Sequence, residues 1–110
     1  MKFWVKTANV KRALKCIEYG IFEGVISNPG DVSLEGIDPK TLFKDLCGVS
    51  PKVYYQIKDG GVQEMAREAE EMISVDPDKM LIKAPATRNG IAVIKKLSDQ
   101  GLKVMATAVP

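Results

Sequence analysis

The run Met80-Leu-Ile-Lys-Ala-Pro85 puts one ammonium, that of Lys83, in the middle of a short apolar strand. Burying an unpaired ammonium is costly, and a lysine commonly escapes that cost by giving up its proton. A neutral amine at the mouth of a pocket is the nucleophile that carbonyl chemistry through a Schiff base requires. The competing reading is a strand-end lysine whose head reaches water along its own stem. The chain has no histidine, which removes Ser-His-Asp and Cys-His catalysis and most zinc sites. Acid–base work must then fall to Asp, Glu, Lys, Tyr or water.

The elements that would position Lys83 alternate strand and helix from end to end. Strands are expected over Phe3 to Lys6, Gly24 to Ser27, Lys52 to Lys58, Met80 to Ala84 and Lys103 to Val109. Asn9 caps a first helix carrying Val10, Ala13, Leu14 and Ile17, closed by Gly20. Asn28-Pro29-Gly30 reads as a turn leading into an irregular loop, and Asp38-Pro39 opens a second helix. The third helix, from Val62 to Ile73, has the clearest apolar face, and its charges form a solvated side. A fourth, from about Asn89 to Asp99, carries Ile91, Ile94 and Leu97 and ends at Gly101.

Five strands and four helices in this order make an α/β protein with a parallel sheet of βαβ units. A doubly wound sheet and a piece of a (β/α)8 TIM barrel both fit. The first would carry a Gly-rich phosphate loop after strand one, where this chain has Thr7-Ala8-Asn9, and no G-x-G-x-x-G or Walker A motif occurs. The barrel fits better, as the first five strands of eight, with residues 1–110 forming one partial-barrel domain. Barrel chemistry collects at the C-terminal strand ends, and side-chain alternation aims Lys6, Asn28, Gln56, Lys83 and Thr107 at one mouth. Trp4, Ile26, Tyr54, Leu81 and Met105 share that side. Phe3, Val5, Val25, Val53, Tyr55, Ile57, Ile82, Ala84, Val104, Ala106 and Ala108 take the other, suited to helices.

Composition excludes more than it assigns. A 45% hydrophobic and 27% charged chain of 110 residues with net charge +2 is an ordinary globular sequence. It has no basic run for nucleic acid, no apolar stretch long enough for a membrane and no apolar core of a signal peptide. Cys16 and Cys47 fall in separate helices without metal-ligand spacing, as reduced thiols of a cytoplasmic protein would.

Several strand-end motifs, in order along the whole chain, resemble those of the small transaldolases and fructose-6-phosphate aldolases. They are Lys6-Thr-Ala-Asn9-Val, Gly24-Val-Ile-Ser-Asn28-Pro29, Gln56 on strand three, Ile82-Lys83-Ala-Pro85-Ala-Thr87, Asn89-Gly-Ile and Ala106-Thr107-Ala-Val. The resemblance implies a class I site in which Lys83 forms a Schiff base with a keto sugar phosphate. Gln56 and Thr107 would help to hold a catalytic water. Asn28, Ser27 and Lys6 would be the substrate-binding positions, Ser27 and Ile26 standing where the family motif has two threonines. No cofactor or metal is implied, and a homo-oligomer is expected. Lys6 stands where the family carries an aspartate that contacts substrate hydroxyls, and a charged lysine accepts no hydrogen bond. The family barrel runs to roughly 200–250 residues. Its tyrosine acid–base and its serine and arginine phosphate contacts lie in the part beyond strand five. A non-catalytic relative or fragment acting as a scaffold or subunit is therefore the alternative reading.

Overall fold

A computed structural model describes residues 3–107, apart from the side chains of Pro29 and Thr107. In chain order the elements are β1 (Phe3–Lys6), α1 (Val10–Glu18), β2 (Phe22–Ser27), α2 (Pro29–Glu35), α3 (Pro39–Val49), β3 (Val53–Gln56), α4 (Val62–Ile73), β4 (Met80–Pro85), α5 (Arg88–Asp99) and β5 (Val104–Thr107). The expected continuation of strand five through Ala108 and Val109 lies outside the described residues.

Short polar side chains start four of the five helices by accepting an otherwise unpaired backbone N–H. Asn9 takes the amide of Arg12 at 2.9 Å, Asp38 that of Thr41 at 3.2 Å and Thr87 that of Gly90 at 3.1 Å. The fourth, Asn28, corrects the reading of Asn28-Pro29-Gly30 as a turn into a loop. Its Oδ1 accepts from Asp31 N at 2.9 Å, Pro29 occupies the first turn, and α2 runs until Gly36 turns left-handed at φ 64°. The pairing of capping residue and proline is the one that starts α3 at Asp38-Pro39.

The sheet is wholly parallel, and its strands lie in the order in which they occur, β1-β2-β3-β4-β5. A doubly wound sheet reverses its strand order at a switch point and covers both faces. Here only one face is covered. Val25, Val53, Tyr55, Ile57, Ile82 and Ala84, all on the side assigned to helices, are buried. They pack against Leu42, Phe43 and Leu46 of α3, Met65, Ala69 and Met72 of α4, and Val93 and Leu97 of α5. On the other face Trp4, Ile26, Tyr54, Leu81 and Lys83 are half-buried and Met105 is exposed. Sequential parallel strands with helices on one side are the arc of a (β/α)8 barrel seen from its unfilled interior.

The ends of the arc depart from the expected burial. Phe3 and Ala106 are exposed although alternation assigns them to the covered side, because β1 and β5 are edge strands of the described sheet. In α1 only Ala13 is buried, and Leu14 is 43% exposed. In α5 the inward residues are Gly90, Val93 and Leu97, while Ile91 is exposed. Gly90 is fixed by contact, since a Cβ there would overlap the Pro85 carbonyl at the end of β4.

Candidate active site

The C-terminal ends of β2, β3 and β4 border a cleft of about 520 Å³ lined by Asn28, Gln56, Lys58, Asp59 and Pro85. Asn28 and Gln56 therefore share one space, as their alternation requires. Lys83 lies on the same sheet face, level with Gln56. Its Cα is paired with Gln56 on β3 and with Met105 on β5. Its carbonyl accepts from the amide of Ile57 at 2.9 Å, which fixes the strand register beneath the side chain.

The Lys83 ammonium has a partner, which the apolar run around it did not reveal. Nζ sits 4.7 Å from the centroid of the Tyr54 ring, within range of a cation–π contact. The ring is itself held on both sides. Trp4 approaches it from β1 with centroids 4.6 Å apart, and the Tyr54 hydroxyl donates to Met105 Sδ at 3.4 Å. Trp4 reaches Tyr54 by lying across β2 at Gly24, its register partner, where any Cβ would overlap the indole.

Two loops are stitched together at the mouth. Asp59 Oδ1, after β3, accepts from the Thr87 hydroxyl and from the Gly60 amide, each at 3.0 Å. The Asn89 side chain, after β4, donates to the Gly60 carbonyl at 2.8 Å. These contacts fix the spacing of the β3 and β4 ends, and hence of Gln56 and Lys83.

Of the remaining expected site residues, Lys6 and Ser27 lie elsewhere. Lys6 is exposed and borders a separate, smaller cleft of about 170 Å³ with Thr7, Asn9, Arg12, Asp31 and Glu35. Ser27 does not reach the mouth. It is fully buried, is paired with Tyr55 on the helix-facing side, and its hydroxyl has no hydrogen-bond partner among the described residues. The cause is strand alternation, which puts Ser27 in line with Val25. The backbone of Thr107 pairs with Pro85 at the end of β5, and its side chain lies outside the described residues.

The groups with displaced titration lie on the helix-covered side of the sheet, behind the mouth. Burial pushes the Cys47 thiol up to about 11, with Asp76 adding to the effect. Burial also raises the Tyr55 phenol, with the Glu68 carboxylate as a second cause. Glu68 is raised mainly by its own burial, against the opposing effect of a hydrogen bond from the Lys58 backbone. Its Oε1 has no hydrogen-bond partner among the described residues. Both cysteines are free thiols.

A one-sided parallel arc with a lysine on its open face and amide side chains at the strand ends matches the first half of a (β/α)8 barrel. Comparison with known proteins agrees. The family model for transaldolase/fructose-6-phosphate aldolase matches residues 4–109, and the chain belongs to that family. It is 34% identical over 118 residues to a probable transaldolase of Thermodesulfovibrio yellowstonii, covering 99% of this chain and 51% of that one. Probable transaldolases of Cytophaga hutchinsonii and Dictyoglomus turgidum are 33% and 32% identical, with coverage of 99% of this chain and 52% and 51% of theirs. The chain thus spans about half the length of the curated relatives it matches.

Proposed function

We propose that this chain carries the nucleophilic half of a transaldolase or fructose-6-phosphate aldolase site, with Lys83 as the residue that forms the Schiff base. The observation that carries the reading is a lysine on the open face of a parallel arc, beside the Gln56 strand end and behind the cleft shared by Gln56 and Asn28. In the proposed reaction the Lys83 nitrogen, after losing a proton, attacks the carbonyl carbon of a keto sugar phosphate. The carbonyl oxygen takes up a proton to give a carbinolamine, which then loses water. Overall, an ammonium and a ketone become an iminium and water, with one positive charge on nitrogen before and after. The bond between the α- and β-carbons then breaks: its electron pair moves towards the iminium to give an enamine that retains the dihydroxyacetone unit, while the β-hydroxyl gives up its proton to water and its carbon leaves as an aldehyde. Transfer to a second aldehyde makes the protein a transaldolase, and hydrolytic release makes it an aldolase.

Asn28 is proposed to hold a substrate hydroxyl. Gln56, with Thr107, is proposed to hold the water that enters and leaves the carbinolamine. The protein is proposed to act in the cytoplasm as a homo-oligomer. No helix among the described residues is long and apolar enough to cross a membrane.

The test is borohydride reduction in the presence of dihydroxyacetone or fructose 6-phosphate, followed by peptide mass mapping. A ketose-derived mass is expected on the peptide containing Lys83, and Lys83→Ala should abolish it. Adducts confined to exposed lysines such as Lys95 and Lys96 would overturn the assignment. A second reading, a non-catalytic subunit, is favoured by one observation, the exposed Lys6 in a separate cleft at the family's aspartate position.

A further inference from the structure

We infer that Tyr54 is a positioning residue for Lys83, its ring forming the platform over which the reacting nitrogen is held. The inference rests on Lys83 being the nucleophile. Its physical basis is separate from that reading. A lysine side chain has four methylenes and many rotamers, and ordering it costs conformational entropy. A single directional contact decides where its nitrogen spends its time, and here that contact is the 4.7 Å approach to the Tyr54 face.

The platform is built to stay in place. The ring is braced by Trp4 at 4.6 Å on the β1 side and tied through its hydroxyl to Met105 on the β5 side. Trp4, Tyr54 and Met105 thus form one chain of contacts across the open face from β1 to β5, beneath the lysine. Gly24 supports the arrangement from outside it, because only a residue without a Cβ lets Trp4 cross β2.

The charge balance of the reaction suits such a platform. Ammonium and iminium both carry one positive charge at Nζ, so a ring that attracts the first also attracts the second. The ring therefore leaves the overall equilibrium between them nearly unbiased. The neutral amine that attacks forgoes this attraction, so what the ring changes is the spread of Lys83 rotamers from which the nitrogen can attack, and adduct formation is scaled by the competent fraction.

Two substitutions separate ring from hydroxyl. Tyr54→Leu removes the platform, and Tyr54→Phe keeps the ring but gives up the contact to Met105. In a 1H–13C correlation spectrum the Lys83 ε-methylene should be shifted upfield by the ring in the wild type and in Tyr54→Phe, and should move to an ordinary lysine position in Tyr54→Leu. Borohydride trapping of dihydroxyacetone on Lys83 should slow by about 2- to 30-fold in Tyr54→Leu, the span of the rotamer entropy of a released lysine side chain. It should be rescued in Tyr54→Phe. Thermal melts of both variants report whether the fold is intact. An unshifted ε-methylene in the wild type would overturn the inference, as would trapping in folded Tyr54→Leu as fast as in the wild type. A shifted ε-methylene with no wild-type adduct would refute the nucleophile itself, reducing the ring contact to a structural one and overturning the positioning role.

Discussion

Replacing Gly24 by alanine tests the packing of the open sheet face with one methyl group. Gly24 is paired with Trp4 across β1 and β2. A Cβ at this position would meet the Trp4 ring on one side and the Lys52 carbonyl on the other. The carbonyl is fixed by its hydrogen bond from the Val25 amide at 3.0 Å, so Trp4 must move. Moving it gives up the contact with Tyr54, worth about 0.5–1.5 kcal/mol for an aromatic pair. Forcing the methyl into a filled site costs a further ~1–3 kcal/mol. The sum, about 1.5–4.5 kcal/mol, should lower the melting temperature by roughly 6 °C or more for a domain of this length.

The control is Gly48→Ala. Gly48 is exposed in α3, and a Cβ there would meet nothing within 4 Å. Removing the entropy cost of a helical glycine should stabilise by about 0.5–1 kcal/mol. The same methyl group should therefore move stability in opposite directions at the two positions. Far-ultraviolet circular dichroism gives the melts, and emission from Trp4, the only tryptophan, reports the local packing. A Gly24→Ala melt that coincides with the wild type would refute the packing argument.

Two further outcomes are expected. Glu68 is raised above its ordinary value of 4.5 by burial, so the folded state holds that proton more tightly than the unfolded chain does. The associated stability is fully present below about 4.5 and is lost as pH rises through the folded-state value. Glu68→Gln keeps an acceptor for the Lys58 amide without the charge, so urea stability between pH 4 and 7.5 should decline less in the variant. An unchanged decline would exclude Glu68 as the cause. The 110-residue polypeptide should also self-associate, because β1 and β5 are edges of the described sheet and Trp4, Ile26, Leu81 and Met105 lack a covering layer. Light scattering is expected to give more than one copy per particle, and a monodisperse monomer with a cooperative melt would refute this.

What the sequence reveals and what it hides follow from the range of each physical effect. Alternation along a strand is local, and it correctly separates Val25, Val53, Tyr55, Ile57, Ile82 and Ala84 from the open face. The same rule places Ser27 beside Val25, against the helices, so the family motif pointed one way and the pleat the other. Helix α2 is hidden for a different reason. Among its described side chains one apolar residue, Val32, is buried, too few to show a period. Only the cap of Asn28 with Pro29 marks its start.

The platform beneath Lys83 could not be read from any single strand. Trp4 and Tyr54 lie two strands apart, and their contact depends on the missing side chain at Gly24 between them. In the sequence, Gly24 is just a small residue at the start of an apolar run. In the folded sheet it is what lets an indole from β1 reach a phenol on β3, and through that ring it influences where the β4 lysine holds its nitrogen. The residue types that carry the chemistry are thus visible one at a time, whereas the contacts that orient them arise only when neighbouring strands are set side by side.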